Sequence, residues 1–164
     1  MKQKKSVFIT QAALIAAMYT ALTVLIAAFN LASGAVQVRL SEALTVLPVF
    51  TPAAVPGLFV GCFLSNLITG CALWDVLFGS LATLLGALGT RLLRSRPLLA
   101  VLPPIVSNTL IVPVILAKVY GVPDSIWFLM LTVGIGEVIS CGILGSILQK
   151  ALKPYQKQIF KETE

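Results

Sequence analysis

The sequence predicts an all-α integral membrane protein, one membrane domain over residues 1–164 built as a bundle of six transmembrane helices. Three observations predict it. The chain is 58% hydrophobic, with a mean hydropathy of +0.99. Only 11% of its residues are charged, where a soluble domain carries about 25%. The charges collect between apolar runs of roughly 20 residues, the length that crosses a hydrocarbon core about 30 Å thick. The net charge of +6 would point to nucleic acid in a soluble chain. Here the cations sit at predicted membrane edges, so they report orientation, and no nucleic-acid partner is expected.

The first span is read over 7–31, after Met1-Lys2-Gln3-Lys4-Lys5. Its apolar run is longer than a signal-peptide core, and no A-x-A cleavage site follows, so it reads as a retained helix. Ala12 and Ala16, and beside them Ala13, Ala17 and Ala21, lie four residues apart. Such faces let helix backbones approach closely in lipid, either within the chain or against a partner subunit. Residues 32–37 read as a loop, and the alternation of Val36, Val38 and Leu40 with Gln37 and Arg39 suggests a few extended residues.

The next spans are read over 38–51 and 53–71, separated at Pro52 and interrupted by Pro48. The positive-inside rule separates two helices here from one kinked helix. With two, the remaining spans fall at 74–94, 98–118 and 124–150. Of twelve Lys and Arg, only Arg39 and Lys118 then lie outside, which leaves ten inside and both termini cytoplasmic. The 38–51 segment is too short to span upright, so it must tilt or have its inner end buried in protein. The 74–94 helix opens on Trp74-Asp75, an interface aromatic and an acid that offsets the helix dipole. Pro123-Asp124 marks the start of the last helix, and Pro154 its end.

Against this apolar background a few polar groups stand out. Arg39 and Glu42, three residues apart, read as the outer closure of a pocket or as a local ion pair. A charge at membrane depth costs a few kcal/mol on insertion scales (about 2.5–3.5), so it needs a partner or a function. Glu137 lies about 13 residues into the last span, near mid-membrane at 1.5 Å per residue. Gly134 and Gly136 beside it allow a ligand or a helix to come close. Asn108 and Asn66 offer amide donors and acceptors, or simply join helices. Trp74 and Trp127 read as interface anchors or as pocket lining, and Asp75 as a helix N-terminal acid or as pocket lining. These groups gather in the outer half or near the midplane, a pattern of a pocket open outside and closed below.

Cys62, Cys71 and Cys141 show no metal-ligand spacing and read as small buried hydrophobes. Without His, and without a Cys pair, no metal and no cofactor is expected. The chain carries no phosphate loop, no G-x-S-x-G and no H-E-x-x-H. It is therefore not expected to hydrolyse ATP alone or to be an enzyme. No inverted repeat points to a stand-alone secondary transporter.

Four blocks, Gly34–Pro48, Thr51–Leu58, Leu73–Leu84 and Val133–Cys141, resemble the QueT family of S-components of energy-coupling factor (ECF) transporters, assigned to queuosine-precursor uptake. The resemblance implies the six-helix S-component fold in a bacterial cell membrane, multi-pass. It implies as partners a transmembrane coupling subunit and two ATPase subunits, with membrane lipid around them, and a toppling movement that the ATPases drive. The coupling subunit would dock on an A-x-x-x-A face, for which Ala12/Ala16 and Ala13/Ala17 both fit. The implied substrate is a 7-deazaguanine such as 7-aminomethyl-7-deazaguanine, or queuine. Glu137 would then accept from the guanine-like N1–H and amine, and Asn108 or Asn66 would donate to O6. Glu42 or Asp75 would hold the aminomethyl cation, and Trp74 or Trp127 would stack on the ring. Replacing Glu137 with Gln is expected to weaken binding sharply. Three alternatives compete: an S-component for another vitamin-like molecule, a small membrane enzyme with Glu137 as general base, and an assembly factor with no ligand.

Overall fold

The computed structural model describes residues 2–29 and 38–160. The expected loop at 32–37, the end of the expected first span and the tail beyond Phe160 lie outside the described residues. Helix α1 runs over Lys2–Ala28. A 3-10 helix, Leu40–Val49, follows, then α2 at Ala54–Ile68, α3 at Leu73–Leu92 and α4 at Leu102–Lys118. Helix α5, Ile126–Glu137, continues through a π-helical stretch, Val138–Leu144, into α6 at Gly145–Leu152. A 3-10 turn at Lys153–Tyr155 and the short α7, Gln156–Ile159, close the described chain. Among the described residues there is no strand.

Polarity is inverted relative to a soluble bundle. On α3 the exposed residues include Leu77, Leu81, Leu85, Leu88 and Leu92, while Gly79, Ser80, Thr83, Gly86 and Thr90 are buried. A continuous leucine surface would be an aggregation face in water and is the right surface for acyl chains. Three helical stretches are long and apolar enough to cross a membrane: Lys5–Ala28, Leu73–Leu92 and Ile126–Ile159. Leu40–Val49, Ala54–Ile68 and Leu102–Lys118 are apolar but shorter.

The shortest of them is the centre of the bundle. Ser41, Glu42, Leu44, Thr45, Val46, Leu47 and Pro48 of the 3-10 helix are all buried, and α1, α3, α6 and the π-helical stretch pack around it. A 3-10 helix rises about 2.0 Å per residue, so ten residues cover roughly 20 Å where an α-helix would cover 15 Å. That extra rise, and burial on every side, replaces the tilt that the length of this segment otherwise demands. Pro48 sits inside it at 3-10 geometry. The start of α4 also differs from the expected 98–118. Residues 95–101 make turns, and the helix begins with Pro103 and Pro104 in its first turn, where a missing N–H costs nothing.

Glycines set two close crossings. A Cβ on Gly57 would lie 2.7 Å from the Ala12 carbonyl, and one on Gly61 would lie 2.8 Å from Tyr19 Cβ and 2.9 Å from the Ala16 carbonyl. Gly57 and Gly61 thus form a small-xxx-small face on α2 that receives the Ala12/Ala16 face of α1. Gly86 and Gly89 of α3 likewise meet Pro104 and Pro103 of α4. The apolar core of the bundle contains Ile15, Leu44, Leu47, Phe50 and Leu58. Phe160 is stacked on Phe50 at 5.5 Å.

Helix direction divides the ends. The starts of α1 and α4 and the ends of α3 and α6 share one end with Arg91, Arg94, Lys150 and Lys153. The C-terminal parts of α1, α2 and α4 and the N-terminus of α3 share the other. The polar interior also extends further than the sequence suggests. Thr51, Thr90 and Gln149 are buried towards the basic end. Two of them serve local needs: Thr51 donates to Gln11 Oε1 (2.8 Å), and Thr90 to the Ala100 carbonyl (2.8 Å). Thr51 thereby joins the turn after the 3-10 helix to α1, and Thr90 joins α3 to the turn before α4.

Candidate functional site

At the end opposite the basic one a cavity of about 370 Å³ opens between the helix termini, within the size range of small-molecule pockets. Its polar wall includes Thr23, Arg39, Ser41, Asn66, Asp75 and Tyr120. Each is positioned by an element end. Arg39 has extended backbone just before the 3-10 helix, and its N–H donates to Ser140 Oγ at 3.1 Å, which ties it to the π-helical stretch. Ser41 accepts from Thr23 at 2.8 Å. Asp75 lies in the first turn of α3, where the helix dipole favours its charge. Tyr120 donates to Asp75 Oδ2 (3.1 Å) and accepts from the Ala72 N–H (3.0 Å), so the segment after α4 is fastened to the start of α3. Asn66 Nδ2 lies 3.4 Å from the Asp75 carbonyl.

Next in sequence to the wall residue Ser41 is a buried polar cluster. Glu42 is 1% exposed and Glu137 6%. Tyr19 of α1 donates to Glu42 Oε1, and Asn108 of α4 donates to Oε2 at 3.4 Å. Thr45 donates to the Glu42 carbonyl at 2.6 Å. Cys141 Sγ lies 3.2 Å from Glu137 Oε2 and 3.5 Å from the Glu42 carbonyl. The π-helical stretch begins one residue after Glu137, and widened turns of this kind recur at functional sites. Ligand atoms of Glu42, Glu137 and Cys141 fall within 4.8 Å of one another. The Glu42 carboxyl oxygens are already bonded to Tyr19 and Asn108, so the group is built as a hydrogen-bond network. Cavity wall and cluster together hold three carboxyl groups, Glu42, Asp75 and Glu137, and one guanidinium, Arg39.

A family model for the QueT transporter matches residues 9–154, nearly the whole chain. The chain belongs to the QueT transporter family. It is therefore a membrane transport protein with a small-molecule substrate. Among curated proteins nothing matches, and among solved structures nothing matches.

In this QueT-family chain the residues singled out from sequence fall into three groups. Arg39, Asn66 and Asp75 line the cavity. Glu42, Asn108 and Glu137 belong to the cluster. The two tryptophans join neither. Trp74 is 56% exposed, stacked on Phe78 at 5.8 Å beside the apolar face of α4. Trp127 is 77% exposed at the start of α5. Both rings point outward because their positions on the helices do, which suits interface anchors. On α1, Ala16 is buried and Ala12 half-buried against α2, while Ala13, Ala17 and Ala21 are exposed. Sequence reasoning missed Tyr19, Tyr120 and Cys141. Tyr19 offered a signal, a hydroxyl midway along an alanine-rich span, and Cys141 lies one helical turn from Glu137. Tyr120 offered none beyond its place at a helix end.

Proposed function

We propose that the chain is the substrate-binding component of an ECF-type transporter in a bacterial cell membrane, taking up a queuosine precursor of the 7-deazaguanine class. The observation that carries this reading is the cavity walled by Arg39, Asn66 and Asp75 over an acidic cluster, in a chain of the QueT transporter family. The basic end, with both termini, faces the cytoplasm by the positive-inside rule, and the cavity opens outside. The helices cross the membrane as six segments, and the shortest, Leu40–Val49, is packed among its neighbours.

A bicyclic base fits the volume. Asp75 accepts from the N1–H and the exocyclic amine, and Asn66 or Arg39 donates to O6. Tyr120, the aromatic residue on the wall, takes the stacking role assigned above to the tryptophans, worth about 1–3 kcal/mol. Beneath them Glu42 and Glu137 supply the negative charge that an aminomethyl cation answers. Charge-assisted bonds in a dry site are the strong kind, so few contacts suffice. The chain itself hydrolyses nothing. A transmembrane coupling subunit with two ATPase subunits powers transport and docks on the exposed Ala13/Ala17 face, since α2 already occupies Ala12/Ala16.

Native mass spectrometry and calorimetry of the detergent-purified chain, against a panel of deazaguanines, flavin, thiamin and biotin, test this. One-to-one binding of 7-aminomethyl-7-deazaguanine or queuine is expected. Binding of a different vitamin alone would move the substrate assignment. Binding of nothing in the panel, or conversion of the bound compound to a product, would remove the reading.

A further inference from the structure

The largest cavity described lies at the opposite end. It encloses about 840 Å³ between the end of the 3-10 helix, the end of α3, the turn at 95–98 and the α6 region. Four cationic side chains line it: Arg91, Arg94, Lys150 and Lys153. No Asp or Glu lines it among the described residues. The half-buried Arg91 donates to the Pro48 carbonyl at 3.1 Å, which fixes one cation against the central helix. Gln149, buried, and Ser146 add neutral donors. The wall is also apolar, through Val49, Phe50 and Leu98; Leu98 is 79% exposed, and Leu92, next in sequence to the wall residue Arg91, is 82% exposed.

Orientation alone explains cations at this end. It does not explain four of them around one concavity with leucines at its mouth. A free phosphate would use the donors and make no contact with the leucines. A zwitterionic lipid would bring its own cation into a site that already has four. An acidic protein segment would use the charges and would not need the acyl-facing rim.

We propose that this cavity is a specific site for the headgroup of an anionic phospholipid, with the phosphate among Arg91, Arg94, Lys150 and Lys153 and an acyl chain along Leu92 and Leu98. Basic pockets between helices on the cytoplasmic side hold such headgroups by this chemistry. The site is independent of the substrate cavity and of what that cavity binds.

The test uses the full chain, delipidated in detergent, with dioleoyl-phosphatidylglycerol or dioleoyl-phosphatidylcholine added, read by native mass spectrometry. The phosphatidylglycerol adduct should survive activation and the phosphatidylcholine adduct should not. The double variant Arg94→Gln/Lys153→Gln should lose affinity by about fivefold per cation removed. Lys5→Gln/Lys157→Gln removes the same charge at the same end outside the cavity, and should lose far less. Equal loss in both variants would reduce the effect to general surface attraction and overturn the site. So would equal retention of the two lipids, displacement of the lipid by millimolar inorganic phosphate, or displacement by an acidic peptide while lipid fails to compete.

Discussion

The Glu42 carboxylate joins three elements, and its removal has a magnitude that the structure sets. Tyr19, 1% exposed, donates to Oε1, and Asn108, 4% exposed, donates to Oε2. Glu42→Ala leaves a buried hydroxyl and a buried amide without their acceptor, at about 1–3 kcal/mol each. The bonds from Thr45 and Cys141 go to the backbone carbonyl of Glu42 and survive the substitution. The expected loss is therefore about 2–6 kcal/mol. At roughly 3 °C per kcal/mol for a chain of this size, Tm falls by about 6–18 °C. Tyr19→Phe alone leaves Asn108 bonded and should cost less, about 1.5–3 kcal/mol, as loss of a bond to a charged group. The informative chain is the double variant. Once the tyrosine hydroxyl is gone, removing the carboxylate orphans only the amide, so the double variant should be more stable than the two single losses predict, by about 1–3 kcal/mol. Thermal unfolding of the four purified proteins in one detergent, without ligand, measures this coupling. Additivity within about 0.5 kcal/mol would mean that Tyr19 and Glu42 do not depend on each other, and the account of the cluster as one network would fail.

The remaining predictions concern packing, docking and the cavity. Gly61→Leu places a side chain where a Cβ already meets Tyr19 Cβ at 2.8 Å and the Ala16 carbonyl at 2.9 Å; it should destabilise by about 1–3 kcal/mol or more in the same unfolding assay, and an unchanged Tm would show that α1 and α2 separate freely. Ala17→Leu, on the exposed face, should leave Tm and ligand affinity unchanged yet stop uptake in cells that carry the coupling and ATPase subunits; normal uptake would place docking on another face. Asp75→Asn should weaken 7-aminomethyl-7-deazaguanine binding by at least about tenfold, the lower end for losing a hydrogen bond to a charged acceptor. Trp127→Ala, remote from the cavity, should shift affinity less than twofold in calorimetry, and a large loss there would return the tryptophan to the site.

The helices were legible because lipid selects their sequence so severely. A run such as Leu73–Leu92 has exposed leucines on one side and small residues on the other, and composition alone shows both. The character of the Leu40–Val49 segment was not legible. Its hydropathy gives an apolar stretch with a proline, and nothing in that pattern separates a tilted α-helix from a buried, stretched 3-10 column. The choice is made by what surrounds it: α1 before it, and α3, α6 and the π-helical stretch, which approach from far away in sequence. The alanine faces show the same limit. Ala12/Ala16 and Ala13/Ala17 are equivalent as patterns, and only Gly57 and Gly61, more than forty residues later, decide which pair α2 covers.

For the site, depth was readable and direction was not. Counting residues from a helix start placed Glu137 and Asn108 at similar levels, and Glu42 binds Asn108 across 66 residues of sequence. The count cannot say which way a side chain turns, so it does not separate Trp74 from Asp75, adjacent in sequence, although one faces outward and the other lines the cavity. The physical difference is cost. An indole at the membrane edge is stable on either side of its helix, whereas a carboxylate in lipid is not, so every acid at depth had to face inward and a tryptophan did not. In a chain with so few charges, the acids and amides therefore mark the interior more reliably than the aromatics do. That asymmetry makes the convergence of Glu42, Asp75 and Glu137 at one end informative. Each must be satisfied inside the bundle: Tyr19 and Asn108 bond to Glu42, Cys141 lies against Glu137 and Tyr120 bonds to Asp75, and the proposed aminomethyl guest brings a donor of the complementary sign.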